Sequence, residues 1–533
     1  MNSIDVGKLK VSPFEFYSIL EMRIEKHLNE HDTLYVKGII RDDKQLTPIT
    51  DIKPGTSIVC ENNDQAYFKG VLQSGKIKRR DDVYFLEISA VSNTILLDTV
   101  KYKRSFQDNA QTYKSIVESI IQDNNASVTF NAPETTVENI ILQYNETDWA
   151  LAKRLASHTN DVLIPITGDR PSFHFGAIDS GEGKLETNNF DVSKEFIRVL
   201  SEDGSQEIEE IMTCSVETDK LICELGEKFN LNGTDYFVRS ILLTYINSSL
   251  TVSYTLTGKS AISTPKYYNS AIIGLVLDGE VLEVENDNLK LHLAIDKEQA
   301  VDTAHLFVYA TDYSMENHTG WYVMPEVGDT VQLLFPTEDE KFAYAASSVR
   351  REDTDRTTDY LVKYMRTSFG KEIKFDKNEI LITALDDVTY IRINEDEEKG
   401  IEIITPHPIL VKSDSTMNIE SKDDMIITTE SNLFIQAKES IKIVNESNSM
   451  TFIPGDGISL STGDEIKTTS GGNTAIAAER EVHATSGANM KLQSGGKLIE
   501  SGDTAIELFG NASEISLQAN GIDINAKEIR ESC

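Results

Sequence analysis

The chain has 533 residues, enough for several hydrophobic cores rather than one, and carries 51 Lys and Arg against 87 Asp and Glu, a formal net charge of −36. That balance argues against a nucleic-acid or anionic-membrane surface, because phosphate binding draws on clustered basic side chains. Cys60, Cys214, Cys223 and Cys533 are scattered without a CxxC pair, so neither a disulfide framework nor a zinc knuckle is indicated.

The first segment, MNSIDVGKLKVSPFEFYSILEMRIEKHLNE, has no basic stretch leading into an apolar one, so no secretory leader is expected and folding in the cytoplasm is. Through residue 265 most of the chain alternates like β-strands. Two helical segments interrupt it: TYKSIVESIIQD (112–123) and DWALAKRLASH (148–158), the second with Thr147 or Asp148 as its N-cap. AIIGLVLDGEVLEVENDNLKLHLAI (271–295) reads as a hairpin, and GWYVMPEVGDTVQLLFPTEDEKFAYAASSV (320–349) as turn, strand, turn and strand. Together they predict a small five-stranded barrel over roughly 270–350.

Near residue 400 the composition changes. Every tyrosine lies at or before Tyr390, both tryptophans do too, and only Phe434, Phe452 and Phe509 supply rings beyond it. Globular cores use large rings freely, so a thin repetitive structure is expected there. Ile401, Ile409, Met417, Met425, Leu433 and Ile441 recur every eight residues. After a one-residue slip the same interval links Met450, Ile458, Ile466, Thr474, Val482, Met490, Leu498 and Ile506, and a further slip leads to Ile515. Positions two residues on are mostly apolar as well, Thr468, Ala484 and Glu500 being the weak members. An apolar, polar, apolar triplet is a short strand with one buried face, and the following Gly, Asn, Asp or Ser suit a corner. Two inward side chains per octad are too few to fill a single-chain solenoid, whose coils run to about twenty residues. Three chains on a shared axis would fill it, and about sixteen octads would make a rod on the order of 80 Å.

These octads resemble the intertwined triple-stranded β-helix of contractile phage-tail needles and of the VgrG spikes of type VI secretion systems. WYVMPEVGDTVQLLF (321–335) is similar to the OB-fold that joins hub to needle in that family, on Trp321, Pro325, Gly328 and Asp329. KYMRTSFGKEIKFDKNEILIT (363–383) is similar to the neck motif, on Arg366, Gly370, Phe375 and Asp376. LQYNETDWALAKRLASHTNDVLIPI (142–166) resembles a hub segment of the late-control D and VgrG families, on Asn145, Glu146, Asp148, Trp149, Arg154 and Leu155, which are read as fold-forming.

The resemblance implies a mostly β homotrimer with hub β-barrel domains and short helices, an OB-fold barrel and a C-terminal triple-stranded β-helix. The corresponding bounds are 1–105 and 171–265 for two hub barrels, 106–170 for a helix-containing hub segment, 266–350 for the OB-fold, 351–400 for the neck and 401–533 for the needle. It also implies as partners a hexameric inner tube, baseplate proteins, a target envelope and a PAAR-type tip protein, with or without an effector, seated near Ile522, Ile524 and Ile529. Assembly in the cytoplasm within a contractile particle, then ejection across an envelope or release outside, would follow.

No reaction is expected. YTLTGKS has Ser253 where a phosphate loop needs its first glycine, and no HExxH or GxSxG occurs. No cofactor or metal is implied, and His483 is expected at a solvated surface. The alternative, a trimeric tailspike that binds a receptor or degrades polysaccharide, would need paired carboxylates and aromatic platforms, and the rod has almost no rings.

Overall fold

Alternation of apolar and polar residues in TLYVKGII, and in MRIEKH at the end of FYSILEMRIEKH, builds two long strands whose alternate side chains are buried there. The computed structural model describes all residues except 1–8, 42–52, 64, 182, 201–205, 247, 316–318, 350–358, 386–387, 396–398, 447, 456 and 505–533. The expected needle positions Ile506 and Ile515, and the tip positions Ile522, Ile524 and Ile529, lie outside the described residues. The chain divides into two units, Met1–His407 and Pro408–Cys533.

The first unit opens with β1 (Leu9–Ser12), β2 (Phe16–His27), β3 (Thr33–Ile40), β4 (Ser57–Asn62), β5 (Gln65–Arg80) and β6 (Val83–Ser92). Then come β7 (Lys101–Phe106), a first helix α1 (Tyr113–Ile121), β8 (Ser127–Phe130), β9 (Ile141–Thr147), a second helix α2 (Asp148–His158), β10 (Leu163–Pro165) and β11 (Ser172–Phe175). The helices fall where the sequence places them. Thr112 and Ser115 cap α1 reciprocally, and the Thr147 hydroxyl accepts the Ala150 N–H to cap α2. Their apolar faces meet in one core with Trp149, Phe173 and Phe175.

Strands β12 (Gly183–Leu185), β13 (Phe190–Leu200), β14 (Gln206–Thr218), β15 (Lys228–Leu231), β16 (Thr234–Ile246) and β17 (Ser249–Thr257) follow. Where the sequence suggests two hub barrels, 1–105 and 171–265, the structure joins their strands in one twelve-stranded sheet, with the path β1-β4-β5-β6-β3-β2-β16-β17-β14-β13 and β12 and β15 attached beside β16. The join is the antiparallel pair β2–β16, with Ile24 opposite Leu243. Both segments share one core containing Met22, Leu34, Phe68, Phe229, Val238 and Tyr254. The physical reason is an open edge: β2 pairs β3 on one side only, so its other row of N–H and C=O groups needs a partner. Across this sheet the buried Lys26 ammonium meets the Glu224 carboxylate at 2.8 Å.

The expected barrel is present and closed. Strands β18 (Leu275–Glu285), β19 (Asn288–Leu293) and β20 (Leu306–Ala310), a small hairpin β21 (Ser314–Met315) and β22 (Thr319–Gly320), and then β23 (Thr330–Phe335) and β24 (Tyr344–Ser348) lie in sequence. The barrel runs β18-β19-β20-β24-β23 and back to β18, with β20 and β24 parallel. Its interior holds Val281, Leu289, Leu291, Phe307, Val331, Leu333 and Phe335.

A five-stranded antiparallel meander closes the unit: β25 (Lys363–Arg366), β26 (Glu372–Phe375), β27 (Glu379–Leu385), β28 (Thr389–Asn394) and β29 (Ile401–Ile404). In the second unit the described strands are β30 (Ile441–Asn445), β31 (Asn448–Ile453) and β32 (Gly457–Ser461), again an antiparallel meander.

Candidate assembly interface

Two places in the first unit carry arrangements that ordinary core formation does not require. One lies between the helices α1 and α2 and the barrel. Arg154, on α2, is 0% exposed and forks onto Glu146, Nε to Oε1 at 3.0 Å and Nη2 to Oε2 at 2.9 Å. The same guanidinium donates to Glu340 Oε1 at 2.9 Å and to the Leu142 carbonyl at 3.0 Å. Glu340 belongs to the barrel and is 4% exposed. Burial opposes the charge on Arg154, but Glu146 and Glu340 outweigh it and raise its pKa.

Apolar and further polar contacts reinforce this junction. Ile140 and Leu142 enter the barrel's own core cluster. The Ser105 N–H and hydroxyl donate to the two oxygens of Asp296 at 2.7 and 2.6 Å. Gln107 donates to the Leu291 carbonyl and accepts the His305 N–H, each at 3.2 Å. His158 Nε2 lies 3.1 Å from the Tyr267 carbonyl, and its ring packs against Tyr113 and Tyr268. A carbonyl can only accept, so Nε2 carries the proton.

Burial, with the charges of Arg154 and Lys266 beside it, pushes the His158 pKa down to about 4. The folded protein therefore keeps a neutral imidazole where the unfolded chain would bind a proton below its ordinary pKa. Its contribution is complete above about pH 6.5 and is lost as pH falls toward 4. The stability of the wild type relative to His158→Gln should fall by about 2–3 kcal/mol between pH 7 and pH 4; denaturant midpoints at both pH values measure it.

The residues of the two recognised motifs sit at turns and on strands beside this barrel. Pro325 is buried and Trp321 is exposed. Gly328 takes φ +93° and donates to the Val281 carbonyl at 2.9 Å, while Asp329 closes the turn by accepting the Glu326 N–H at 2.8 Å. In the meander Gly370 takes φ +78° in the β25–β26 turn, and Arg366 faces Glu372 at 3.4 Å. Asp376 accepts the N–H groups of Asn378 and Glu379 at 2.8 and 2.9 Å and meets Lys374 at 3.0 Å. The Asn378 N–H, with Lys374 next, holds its carboxyl below the usual carboxylate range.

The second place is the face of that meander, which sequence reading registered only through Phe375 and Ile401. Register puts Met365, Ile373, Ile382, Ile391 and Ile403 in one cross-strand row, and Phe375, Ile380, Ile393 and Ile401 in the next. All nine are between 36% and 69% exposed. The opposite face is laced with charge: Lys374 meets Glu379 at 3.0 Å, and Arg392 meets Glu379 at 2.7 Å and Glu402 at 3.2 Å. Alternation in EIKF and TYIRIN, interrupted at Leu381 in EILITAL, was the available signal.

In the second unit the eight-residue interval appears as geometry. The chain bends at 414–415, 422–423, 430–431 and 438–439, and again at 463–464, 471–472, 479–480, 487–488, 495–496 and 503–504. At each of several corners a hydroxyl accepts the N–H two residues on: Ser413 from Ser415, Thr429 from Ser431, Ser470 from Gly472, Ser486 from Ala488 and Ser494 from Gly496, at 3.2–3.3 Å. This Ser/Thr period, four residues ahead of the apolar frame, is a signal the apolar pattern alone misses. Ile409, Met417, Met425, Leu433, Ile466, Val482, Met490 and Leu498 are 46–60% exposed, whereas Leu410, Ile426 and Phe434 between frame positions reach 83–88%. In the meander Ile441, Phe452 and Ile458 form one row, and Ile443, Met450 and Leu460 the next. Here the structure departs from a strand and corner per octad, because the slip between Ile441 and Met450 is taken up by a hairpin turn. His483 is exposed beside Glu481 at 2.9 Å. Among the described residues no group of three His, Cys, Asp or Glu side chains is placed to hold a metal ion.

No protein-family model matches the chain, and no curated protein matches it in sequence. Among solved structures it is similar to the prophage MuSo2 43 kDa tail protein of Shewanella oneidensis, at 11% identity and a TM-score of 0.40 over 48% of this chain and 98% of that one. It is similar to the Francisella PdpA–VgrG complex at 9% identity and a TM-score of 0.43, over 72% of this chain and 83% of that one. It is also similar, at 13% identity and a TM-score of 0.46 over 64% of this chain and all of the other, to the E. coli c3393 protein, a type VI secretion component with structural similarity to the T4 bacteriophage tail proteins gp27 and gp5.

Proposed function

We propose that the chain is the hub-and-spike subunit of a contractile injection machine and works as a homotrimer. The observation that carries this reading is the pair of unburied apolar rows on the β25–β29 meander. Apolar surface left in water costs roughly 25 cal/mol per Å², and a contiguous patch of this kind marks an association surface. Three copies turned toward a common axis would bury it, and association of three second units would bury their exposed octad side chains.

Other features support the reading. The barrel's strand order, first-second-third-fifth-fourth, suits an OB-fold, and the sequences at 321–335 and 363–383 resemble the barrel and neck of the VgrG and late-control D family. Arg154 and Glu340 give that barrel a fixed seat on the hub. In this reading the hub caps a hexameric inner tube within a baseplate, and the octads form an intertwined needle that carries a PAAR-type tip through a target envelope. The work is mechanical and no reaction is assigned. The chain is assembled in the cytoplasm and leaves with the particle.

Mixing the full-length protein with the hexameric tube protein of the same system tests the assignment: co-elution at three chains per tube hexamer is expected. A retained three-chain mass without tube binding would sink the hub role and favour a tailspike. Deleting the last fifteen residues should abolish capture of the tip protein and leave the three-chain state intact; loss of the trimer in that variant would make the end structural instead.

A further inference from the structure

The twelve-stranded sheet holds the same arrangement of two hairpins twice. Hairpins β2–β3 and β5–β6 lie in the order β5-β6-β3-β2, and hairpins β13–β14 and β16–β17 in the order β16-β17-β14-β13. The match extends to register. Strands β5 and β16 each carry a bulge, before Ser74 and before Ser240, and each ends in a two-residue turn, Arg80 opposite Val83 and Ile246 opposite Ser249. A short strand covers the first part of each, β4 on 65–71 and β15 on 234–237. Counting from bulge to turn makes Ile77 the counterpart of Leu243. Val91 and Thr257 stand equally far beyond those turns. Glu25 faces Thr33, which faces Val91, as Ser193 faces Thr213, which faces Thr257. Met22, Ile24 and Lys26 therefore correspond to Phe190, Val192 and Lys194.

The two copies of the arrangement differ in what covers their edges. Strand β2 pairs with 240–246 of β16, with Ile24 opposite Leu243, and Met22 and Ile24 are left only 1% exposed. Among the described residues β13 pairs β14 alone, and 74–80 of β5 pair β6 alone. Phe190 and Val192 are accordingly 44% and 54% exposed. A long open edge with apolar side chains is a template for another strand. Charge also fits: Lys76, Lys78 and Arg80 alternate with Ile77 along β5, and Asp191 and Glu195 alternate with Val192 along β13. We infer that β13 of one copy of this chain pairs antiparallel with 74–80 of β5 in the next, repeating the β2–β16 join between chains. Val192 then faces Ile77, and Asp191 faces Lys78. The contact joins unlike surfaces and so closes into a ring only where the rotation does; three copies would close it. The inference rests on the trimeric reading above.

The test uses the full-length chain with Cys533→Ser, in which Cys60, Cys214 and Cys223 are buried. A chain carrying both Lys78→Cys and Asp191→Cys, treated with a short bismaleimide, should run as linked pairs and triples on a denaturing gel. Their yield should exceed that of either single substitution on the order of tenfold, because the contact brings unlike positions together. Lys76→Cys with Ser193→Cys, two residues along, should do the same. A three-chain mass without linked chains in both double variants would overturn the edge pairing and leave the trimer standing. Equal linking by the single substitutions would make the contact like-to-like and overturn it as well. A single-chain mass for the unsubstituted protein would overturn the trimeric reading, an outcome read separately by light scattering.

Discussion

Arg154→Met should lower the stability of the first unit by about 3–5 kcal/mol, the loss typical when one partner of a buried ion cluster is removed and the others are left without compensation. The variant would leave Glu340, 4% exposed, and Glu146 facing each other with no cation between them. Either carboxylate must then take up a proton or draw water into the junction. Glu340→Gln should cost less, about 1–2 kcal/mol, because Arg154 keeps its fork on Glu146 and a neutral acceptor remains. The measurement is the urea midpoint at fixed protein concentration, with the slope compared between variants. A loss below about 1 kcal/mol for Arg154→Met would show that the apolar contacts of Ile140 and Leu142, rather than the ion cluster, seat the barrel.

Ile382→Asp is the second large effect. Ile382 occupies the middle of the row Met365, Ile373, Ile382, Ile391 and Ile403. On a shared axis three such carboxylates would be buried together without partners, at a cost of several kcal/mol per chain. The expected result is a fall to single-chain mass, or a thermal transition lower by more than about 10 °C. Arg392→Gln, on the opposite charged face, should change the transition by less than a quarter of that, since partly exposed pairs contribute about 0–1 kcal/mol. Equal effects from the two substitutions would remove the distinction between the faces.

Much of this architecture is legible in the chain because it is local. Thr147 ahead of DWALAKRLASH, the hairpin at 271–295 and the turn around Gly328 each depend on residues a few positions apart, and each is found where the sequence puts it. The eight-residue frame is legible for the same reason, since many of its corners are made by a hydroxyl and an N–H two residues on. What the sequence hides is long-range pairing. Nothing near Arg154 marks Glu340, 186 positions away, as its partner. Nothing in FYSILEMRIEKH says that its free edge will be taken by residues 240–246 and so merge two expected barrels into one sheet. The apolar rows of the 363–404 meander fall between these cases: the alternation is visible, but only the register of five strands turns it into one continuous face.

The central claim is that three copies of this chain share one axis, and the solution mass of the purified full-length protein by light scattering tests it most directly. The account predicts the mass of three chains, about three times 59.5 kDa, stable to dilution and mild detergent. A mass of one chain under those conditions would contradict it, leaving the apolar rows of the meander and the octads without the partner they require.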